Sequence, residues 1–468
     1  MGGFFGAIMK RPCETELFYG VDYHSHLGTK RAGMVTMENN TFHRAIHNID
    51  NSYFRTKFYD DLGKFRGNCG IGVISDTDSQ PIVVNSHLGR FAIVTVAKVC
   101  NIDELEKECL DKNQQFTELS SGQTNQTELI ALMITQGKDF VDGIKNVFNK
   151  IKGSCSMLIL TSDGIIAARD YYGRTPIVIG KGEDGHVVAF ESHSYDNLGF
   201  ETEMFVGPGE IVKITADDVV RLAPPSDKLQ ICSFLWVYYG YPSVDYEGIN
   251  VEKTRYLGGY AMGQLDDVQA DFVCALPDSG IGMALGYADG KGIDYQRGIV
   301  KYTPTWSRSF MPVNQETREH VAKMKLLANK SILNGKEVVF CDDSIVRGTQ
   351  LKDNVKRFYQ AGAKKVHIRI SCPPILFGCK FVNFSASKNE YELITRKIIR
   401  EWEGENTSNL HLYVDENTKE YARLVEAVRQ HLGVDSLKFN TIGAITKAIG
   451  LPKESLCTHC FDCSSCGH

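Results

Sequence analysis

Long apolar runs are missing from this sequence. Nowhere do about 18 apolar residues follow one another, and the N-terminal MGGFFGAIMKR has no apolar stretch as long as that of a secretion signal. A long run of basic residues is missing too, and the formal net charge is -5. These absences argue against membrane segments, against secretion, and against nucleic acid as a main partner. We therefore expect a cytoplasmic protein.

Length and composition leave room for more than one domain. The 468 residues suffice for two or three domains, and an apolar content of 43% is enough to bury their cores. Residues 1–225 have the pattern of short strands with a few helical stretches, residues 226–450 alternate strands and helices, and residues 451–468 are rich in cysteine. We predict an α/β protein with a two-sheet layered domain, then a domain whose mainly parallel sheet is covered by helices on both faces.

The most informative stretch is VVFCDDSIVRGT, residues 338–349. An apolar run ends at Asp342 and Asp343, and from Leu351 apolar residues recur at helical spacing until Gly362. The loop therefore lies between a strand and a helix N-terminus, where backbone N–H groups and the helix dipole favour an anion. Carboxylates suit hydroxyls or magnesium instead, so the implied ligand is a sugar phosphate. The alternative is an ordinary turn with solvated acids.

A second strand, loop and helix precede this stretch. Residues 271–276 are nearly all apolar and lead into Asp278, Ser279 and Gly280, before a helix that begins near Ile281. A loop of small residues at a helix N-terminus is a second candidate anion site. Alone, this pattern does not distinguish a binding loop from a plain turn, and the loop gains weight from the aspartate-containing stretch that follows it.

These two loops resemble the phosphoribosyl pyrophosphate (PRPP) site of type I phosphoribosyltransferases, and DDSIVRGT is similar to the form found in the amidophosphoribosyltransferase family. The resemblance implies that the acids bind the ribose hydroxyls in the magnesium region, the following loop binds the 5-phosphate, and the earlier loop binds the pyrophosphate. The implied PRPP-binding residues are Asp342, Asp343, Ser344, Ile345, Val346, Arg347, Gly348, Thr349, Asp278, Ser279 and Gly280.

The first half resembles the glutaminase domain of the same family through GGFFGAI, HLGTKRAGM, GRTP and VGPGE. The resemblance implies a four-layer αββα fold of the N-terminal-nucleophile (Ntn) type over residues 1–225, followed by a type I phosphoribosyltransferase domain over 226–450. The family's nucleophile is a cysteine whose own α-amino group acts as its base. Glycine, at Gly2, occupies the matching position here.

Three further positions depart from the glutaminase pattern. Ile74 lies in the segment where the family has its glutamine-binding arginine. Val96 and Ala97 stand where the family has the Asn-Gly pair of the oxyanion hole. Gln126 replaces an aspartate that binds the substrate amino group. We predict that the glutaminase fold is retained and that its activity is lost.

Cys13 is an alternative nucleophile, because some family members lose a short leader. The flanking residues argue against it, since Gly3 to Gly6 already match the segment that follows the family's nucleophile, whereas Glu14 does not. We interpret Cys13 as a loop or core thiol.

Residues 302–315, between the two loops, form a long polar segment of the kind that closes over an active site. In the family such a lid excludes water from an oxocarbenium-like transition state. The resemblance implies that Arg308 and Lys325 neutralise the departing pyrophosphate and that Arg347 acts from within the phosphate loop. For the lysine, a solvated surface position is the alternative. Tyr241 stands where the family has an arginine that lines the site.

The chain has 14 cysteines, and four of them crowd into the tail CTHCFDCSSCGH. Such a run suits zinc or an iron-sulfur cluster, and its local spacing does not choose between them. Some amidophosphoribosyltransferases carry a [4Fe-4S] cluster with ligands from three separated places, which favours the cluster over zinc. The implied ligands are Cys232, Cys379, Cys457 and Cys460. Cys463 and Cys466 are then spare.

The combined prediction is an enzyme of purine biosynthesis that binds Mg-PRPP and forms 5-phosphoribosylamine from ammonia, free or from a partner, with release of pyrophosphate. One alternative is a regulatory pseudoenzyme that senses PRPP or nucleotides. Another is phosphoribosyl transfer to a different amine. The resemblance also implies a homodimer or homotetramer, with purine nucleotides as inhibitors.

Overall fold

The computed structural model describes residues 2–120, 122–302, 325–382, 390–405 and 408–464. Within these spans, none of the helices combines the length and the apolar character that a membrane crossing requires.

Two antiparallel sheets form the first half. The seven-stranded sheet contains, in spatial order, Glu201–Phe205, Val178–Gly182, Gly185–Ala189, Gly2–Met9, Cys69–Ser75, Arg31–Glu38 and Thr41–Asn48. The six-stranded sheet contains Val219–Ala223, Ile211–Ile214, Gly164–Arg169, Gly153–Thr161, Gly89–Val99 and Ile82–Ser86. The strand predicted at Cys69–Ser75 has these bounds in the structure.

The alternation of side chains along the strands produces the predicted layers. Phe4 points into the core between the two sheets, whereas Phe5 points to the outer face and packs with the helix Glu14–Asp22. On the other sheet, Ile159 packs outward against helical Leu129. The remaining helical segments of this half are Phe54–Phe58, Tyr59–Lys64, Ile102–Asp111, Gln126–Ile134, Phe140–Lys150 and Tyr195–Leu198, with a small hairpin of Leu119–Ser120 and Gln123–Thr124.

A four-stranded parallel sheet forms the centre of the second half. Its strands, in spatial order, are Phe272–Ala275, Glu337–Asp342, Lys365–Ile370 and Ser436–Phe439. Phe340 stacks on helical Phe358 on one face, and Val339 packs with Met283 on the other. Helices therefore cover both faces, as the sequence pattern predicts.

Further elements surround this sheet. In the described part of this half, the α-helices are Val251–Leu265, Ile281–Lys291, Lys330–Leu333, Thr349–Gln360, Ile394–Glu403, Lys419–Leu432, Ile442–Ile449 and His459–Asp462. Leu235–Tyr239 is a π-helix, and Glu390–Glu392, Leu410–Tyr413 and Lys453–Ser455 are 3-10 helices. Three two-stranded ladders pair Ile231–Cys232 with Leu456–Cys457, Asp245–Tyr246 with Ile249–Asn250, and Ile299–Lys301 with Leu326–Ala328.

The strand predicted at 271–276 covers Phe272–Ala275 and keeps its predicted place in the chain. The strand Ile299–Lys301 is short, because Gly298 N donates to Gln296 O at 3.0 Å and closes a turn just before it.

Candidate active site

The aspartate-containing loop joins the strand Glu337–Asp342 to the helix Thr349–Gln360. Gly348, at the start of this helix, has φ of 74°, a backbone conformation that suits glycine. A Cβ atom at this position would lie 2.6 Å from Ile394 Cδ1. Ile345 is buried and anchors the middle of the loop in the core. The sequence thus holds a tight loop at the carboxyl edge of the sheet.

The two aspartates differ in their hydrogen bonds. Asp343 accepts hydrogen bonds at 2.6 Å from both Ser279 Oγ and Ser344 Oγ, which stabilise its carboxylate. Asp343 N donates to Asp342 Oδ1 at 3.0 Å. Burial and the neighbouring Asp343 raise the pKa of Asp342 well above its ordinary value. The pair therefore favours ligands that bring hydroxyl donors or positive charge.

The second predicted loop meets the first at this edge. Ser279 belongs to the loop after Phe272–Ala275, and its bond to Asp343 links two neighbouring parallel strands. Gly280 begins the helix Ile281–Lys291, and a Cβ there would lie 2.4 Å from Cys341 O. Glycine is needed for this close approach.

Both loops thus lead into helices whose N-cap residue is glycine, Gly280 in one and Gly348 in the other. Glycine has no side chain to accept a hydrogen bond from the first N–H groups of a helix. Ile281 N already donates to Asp278 O at 3.2 Å, and the dipoles of both helices favour anionic groups at one sheet edge. This arrangement suits a ligand with a phosphate at each end and a diol between.

Charged side chains around the loops are already paired in the described residues. Lys301 forms an ion pair with Asp278, and Arg347 forms one with Glu392. All four side chains are roughly half exposed, so each pair can exchange partners at low cost. Sequence reasoning missed Lys301 and Glu392, and the only signal for Lys301 was its place at the end of a predicted strand.

Of the other predicted cations, Lys325 lies on the surface beside the strand Leu326–Ala328, and its carbonyl oxygen accepts from Tyr302 N at 3.0 Å. Arg308 and most of the predicted lid lie outside the described residues. The roles predicted for both residues stay predictions.

A small cavity lies beside Gly2. Val96, Ala97 and Phe381 help to line it, and its volume is about 20 Å³, enough for about one water molecule. Ligand pockets in proteins measure about 300–1,000 Å³. The described lining offers hydroxyl and apolar groups and no charged side chain. As it stands, this cavity has neither the space nor the charge to bind an amino acid.

Gly2 itself leaves no room for a side chain. It pairs with Ser75 across the sheet, and a Cβ atom at Gly2 would lie 2.6 Å from Ile74 O. The side chain of Gln126 has a structural role, since its Oε1 accepts a hydrogen bond from Val99 N at 2.8 Å. The structure therefore brings Gly2, Val96 and Ala97 together around one cavity. The backbone of Ile74 lies next to Gly2, and the side chain of Gln126 is hydrogen-bonded to Val99 N instead.

Cys13 is a core residue. Its side chain is fully buried in a cluster with Phe5 and Leu17, on the outer face of the seven-stranded sheet. Burial raises the pKa of the Cys13 thiol well above its ordinary value. The interpretation of Cys13 as an unreactive thiol agrees with this environment.

The four predicted cluster cysteines converge between the tail and both halves of the chain. Cys232 lies opposite Cys457 in a parallel ladder. Val382 N donates to Cys379 Sγ at 3.2 Å. Burial, together with the neighbouring Cys379, raises the pKa of the Cys232 thiol to about 12. Burial and the neighbouring Cys232 and Cys379 likewise raise the pKa of Cys460. Such crowded thiols are stabilised when a metal centre takes their charge.

The donor set itself suits more than one metal centre. Four cysteine thiolates can hold either zinc or an iron-sulfur cluster. The prediction that these cysteines hold a [4Fe-4S] cluster stays a prediction.

Comparisons with known proteins match this picture over nearly the whole chain. The profile of the glutamine amidotransferase domain family matches residues 69–196. The amidophosphoribosyltransferase of Methanocaldococcus jannaschii is 30% identical, over 98% of this chain and 96% of the relative. That of Bacillus subtilis is 30% identical, over 98% and 92%.

Solved structures agree as well. The structure of glutamine PRPP amidotransferase from B. subtilis complexed with ADP and GMP superposes with a TM-score of 0.84 at 28% identity, covering 98% of this chain and 96% of the other. A second structure, described as the allosteric regulatory enzyme of purine biosynthesis, has a TM-score of 0.83 at 28% identity. The predicted fold class is thereby confirmed.

Proposed function

The chain belongs to the amidophosphoribosyltransferase family of purine biosynthesis, and from this membership we propose that it binds Mg-PRPP and transfers ammonia to C1 of the ribose, without hydrolysing glutamine itself. The observation that carries the proposal is the contrast between its two sites. One has paired acids between two glycine-started helices, and the other has a cavity of about 20 Å³ beside Gly2.

In the proposed complex, PRPP spans the carboxyl edge of the parallel sheet. The 5-phosphate takes the N–H groups of the loop 344–349, the ribose hydroxyls donate to Asp342 and Asp343, and the pyrophosphate lies against 278–280. The opposed environments of the two aspartates support this assignment, because hydroxyl donors would stabilise the charge of Asp342, the carboxyl that burial disfavours most. Mg²⁺, held near these carboxylates together with the diphosphate oxygens, would supply positive charge against the leaving group.

The reaction needs no nucleophile from the protein. The lone pair of ammonia attacks C1, the bond from C1 to the pyrophosphate oxygen breaks with its electrons leaving on pyrophosphate, and the new ammonium group then loses a proton to water. The protein contributes position and charge. We assign charge neutralisation to Arg347, Lys325 and Arg308, and Lys301 is a further candidate because it contacts Asp278 in the pyrophosphate loop.

Loss of the glutaminase reaction follows from what surrounds Gly2. A thiol nucleophile is absent there, the cavity is smaller than any amino acid, and Gln126 is bound to the backbone of Val99. Cys13 cannot substitute, because its thiol is buried and its pKa is raised. Ammonia would reach the transferase site from solution or from a partner.

We also propose that Cys232, Cys379, Cys457 and Cys460 hold a [4Fe-4S] cluster that ties the tail to the junction of the two halves. The ladder between Ile231–Cys232 and Leu456–Cys457 supports this role. Iron and sulfide measured per chain should fall together in Cys379→Ser and remain unchanged in Cys463→Ser, which removes an exposed cysteine nearby. Zinc without iron would exclude the cluster.

Because a relative's structure is described as complexed with ADP and GMP, we further propose that purine nucleotides inhibit this enzyme. A homodimer or homotetramer remains a prediction from the family resemblance.

The deciding experiment measures pyrophosphate release from Mg-PRPP, with ammonium chloride and with glutamine as separate nitrogen sources. We expect release with ammonium, none with glutamine, and none in Asp342→Asn. Release with glutamine would refute the loss of glutaminase. PRPP binding without pyrophosphate release under either condition would favour a regulatory protein. Release that requires a different amine would show that this amine, and not ammonia, is the acceptor.

A further inference from the structure

A cluster of three ligand-type side chains, unrelated to the sites above, lies where the first half meets the second. His26 follows the helix Glu14–Asp22, and Glu191 and His193 follow the strand Gly185–Ala189. One ligand atom from each lies within 4.8 Å of the other two, the one such group in the described spans of the chain. Glu191 is fully buried, and the side chain of His193 is 3% exposed.

Hydrogen bonds fix which nitrogen of each imidazole carries its proton. Tyr23 O lies 3.1 Å from His26 Nδ1 and 2.7 Å from His193 Nε2. Since a carbonyl oxygen only accepts, both of these nitrogens must donate. In the neutral rings, His26 Nε2 and His193 Nδ1 are then lone-pair donors to a metal, and both face Glu191.

Both of these nitrogens lie close to the same carboxylate oxygen. Glu191 Oε2 is 2.7 Å from His26 Nε2 and 3.4 Å from His193 Nδ1. Two lone pairs directed at a carboxylate oxygen repel it unless a cation lies between them. Metal binding requires the ionised carboxylate and the neutral imidazoles, so a cation would compete with protons at these three side chains.

From this convergence of two imidazole nitrogens and one buried carboxylate, we propose that His26, Glu191 and His193 bind a zinc-class divalent cation. Two histidines with one carboxylate form a known zinc ligand set that leaves a fourth position open. Imidazole ligands disfavour Mg²⁺ and Ca²⁺, which prefer oxygen donors throughout.

Outer residues hold these ligands in the way that metal sites require. Tyr246 OH donates to Glu191 Oε1, the carboxylate oxygen that faces away from the histidines. Tyr241 stacks on His193 with ring centroids 5.2 Å apart, and its ring also lies 5.3 Å from His26. Both tyrosines come from the second half of the chain, so the cation would join the two halves. This gives a task to Tyr241, which replaces the arginine typical of the family.

His24 is not a fourth ligand. Its Nδ1 faces Gly20 O at 2.7 Å, and its Nε2 accepts from Glu191 N at 3.1 Å. Both ring nitrogens are therefore occupied, and His24 instead holds the backbone that carries Glu191. Its substitution would weaken binding only through that backbone.

The test uses the full chain, freed of metal by a chelator, and Zn²⁺ alone as the probe. Zinc retained after dialysis should be one equivalent higher in the wild type than in His193→Phe, which keeps an aromatic ring against Tyr241. His411→Gln, an exposed histidine elsewhere, should retain as much zinc as the wild type. Tyr246→Phe keeps all three ligands, so we expect its zinc affinity to fall by about 10- to 100-fold.

Co²⁺ separates this site from the cysteines. Binding to nitrogen and oxygen ligands gives visible d–d absorption without the intense ultraviolet charge-transfer band of thiolates. We expect Glu191→Gln to lose the d–d absorption that has no accompanying thiolate charge-transfer band, and circular dichroism of each variant checks that it remains folded. Equal zinc content in the wild type, His193→Phe and Glu191→Gln, or cobalt spectra with thiolate bands alone, would overturn the proposal and leave a protonated histidine paired with Glu191.

Discussion

The two halves of this chain both retain a layered fold, and they differ in what their polar sites offer a ligand. At the edge of the parallel sheet, Asp342 and Asp343 lie between two helices that begin at glycine. Beside Gly2, the remaining cavity holds about one water molecule and no charged side chain lines it. Buried apolar clusters pack in both halves. Many apolar positions maintain a fold, whereas a few polar ones carry a reaction, so the second can be lost without the first.

The largest effect should come from removing the charge that distinguishes the transferase site. In Asp343→Asn, the carboxylate that accepts from Ser279 and Ser344 loses its charge. We expect ammonia-dependent pyrophosphate release to fall by about 100- to 1,000-fold, as for other groups that stabilise charge in an active site. Initial rates at several PRPP concentrations provide the measurement.

Asp353→Asn is the matched control, because Asp353 is an exposed acid on the helix that follows the same loop. Its activity should equal that of the wild type. Equal activity of Asp343→Asn and Asp353→Asn would remove the chemical difference between the two halves on which the proposed function rests.

The bond between the two loops gives the next largest effect. Ser279→Ala removes one donor to Asp343 and the only side-chain link described between the two loops. A hydrogen bond to a charged group is worth roughly 1.5–3 kcal/mol. We expect PRPP affinity, measured by calorimetry, to fall by about 10- to 100-fold. If affinity is unchanged, Ser279 does not help to shape the ribose site, and the two loops act separately.

The prediction of a sugar-phosphate site rests mainly on one local stretch, to which the loop 278–280 was added. The apolar run, the two acids, the small loop residues and the helical spacing after Leu351 occur within that stretch, and each has a direct physical meaning. The loss of glutaminase activity was predicted from several departures from the family pattern, at Gly2, Ile74, Val96, Ala97 and Gln126. The structure added that Gly2 has no space for a side chain.

That absence of space leads to a prediction about reversal. Gly2→Cys would restore the cysteine that the family uses as its nucleophile. The Cβ atom of that cysteine would, however, lie 2.6 Å from Ile74 O. We expect no glutamine hydrolysis and a loss of stability of about 1–3 kcal/mol, typical of overpacking, measured by denaturant unfolding. The first half, for which we propose no glutaminase activity, would then remain inactive for steric reasons as well as chemical ones.

Gly63→Cys is the control for the added thiol, since nothing lies within 4 Å of a Cβ at Gly63. It should unfold like the wild type. Glutamine hydrolysis by a stable Gly2→Cys protein would show that the first half lacks only its nucleophile. The missing activity of that half would then be explained by one residue.

Contacts between distant segments are what the sequence could not supply. Lys301 meets Asp278, and Arg347 meets Glu392, only because loops from different parts of the chain lie side by side. The cluster of His26, Glu191 and His193 was also missed. His26 lies far along the chain from Glu191 and His193, and single histidines in a sequence carry no signal of convergence. Residue type and spacing predict chemistry within one segment, whereas the packing of the whole chain decides which segments meet.

The smallest predicted effect concerns one of these distant contacts. Glu392→Gln releases Arg347 from a half-exposed ion pair, and such pairs are worth about 0–1 kcal/mol. Since Arg347 lies in the proposed phosphate loop, its release should strengthen PRPP binding by less than about fivefold, seen as a lower KM with an unchanged kcat. The effect should shrink at high salt, which screens exposed charges. Glu401→Gln, on the exposed side of the helix Ile394–Glu403, should leave KM unchanged. A tenfold or greater rise in KM in Glu392→Gln would instead mean that Glu392 positions Arg347 for the substrate, so that the active half depends on a residue that no local pattern identifies.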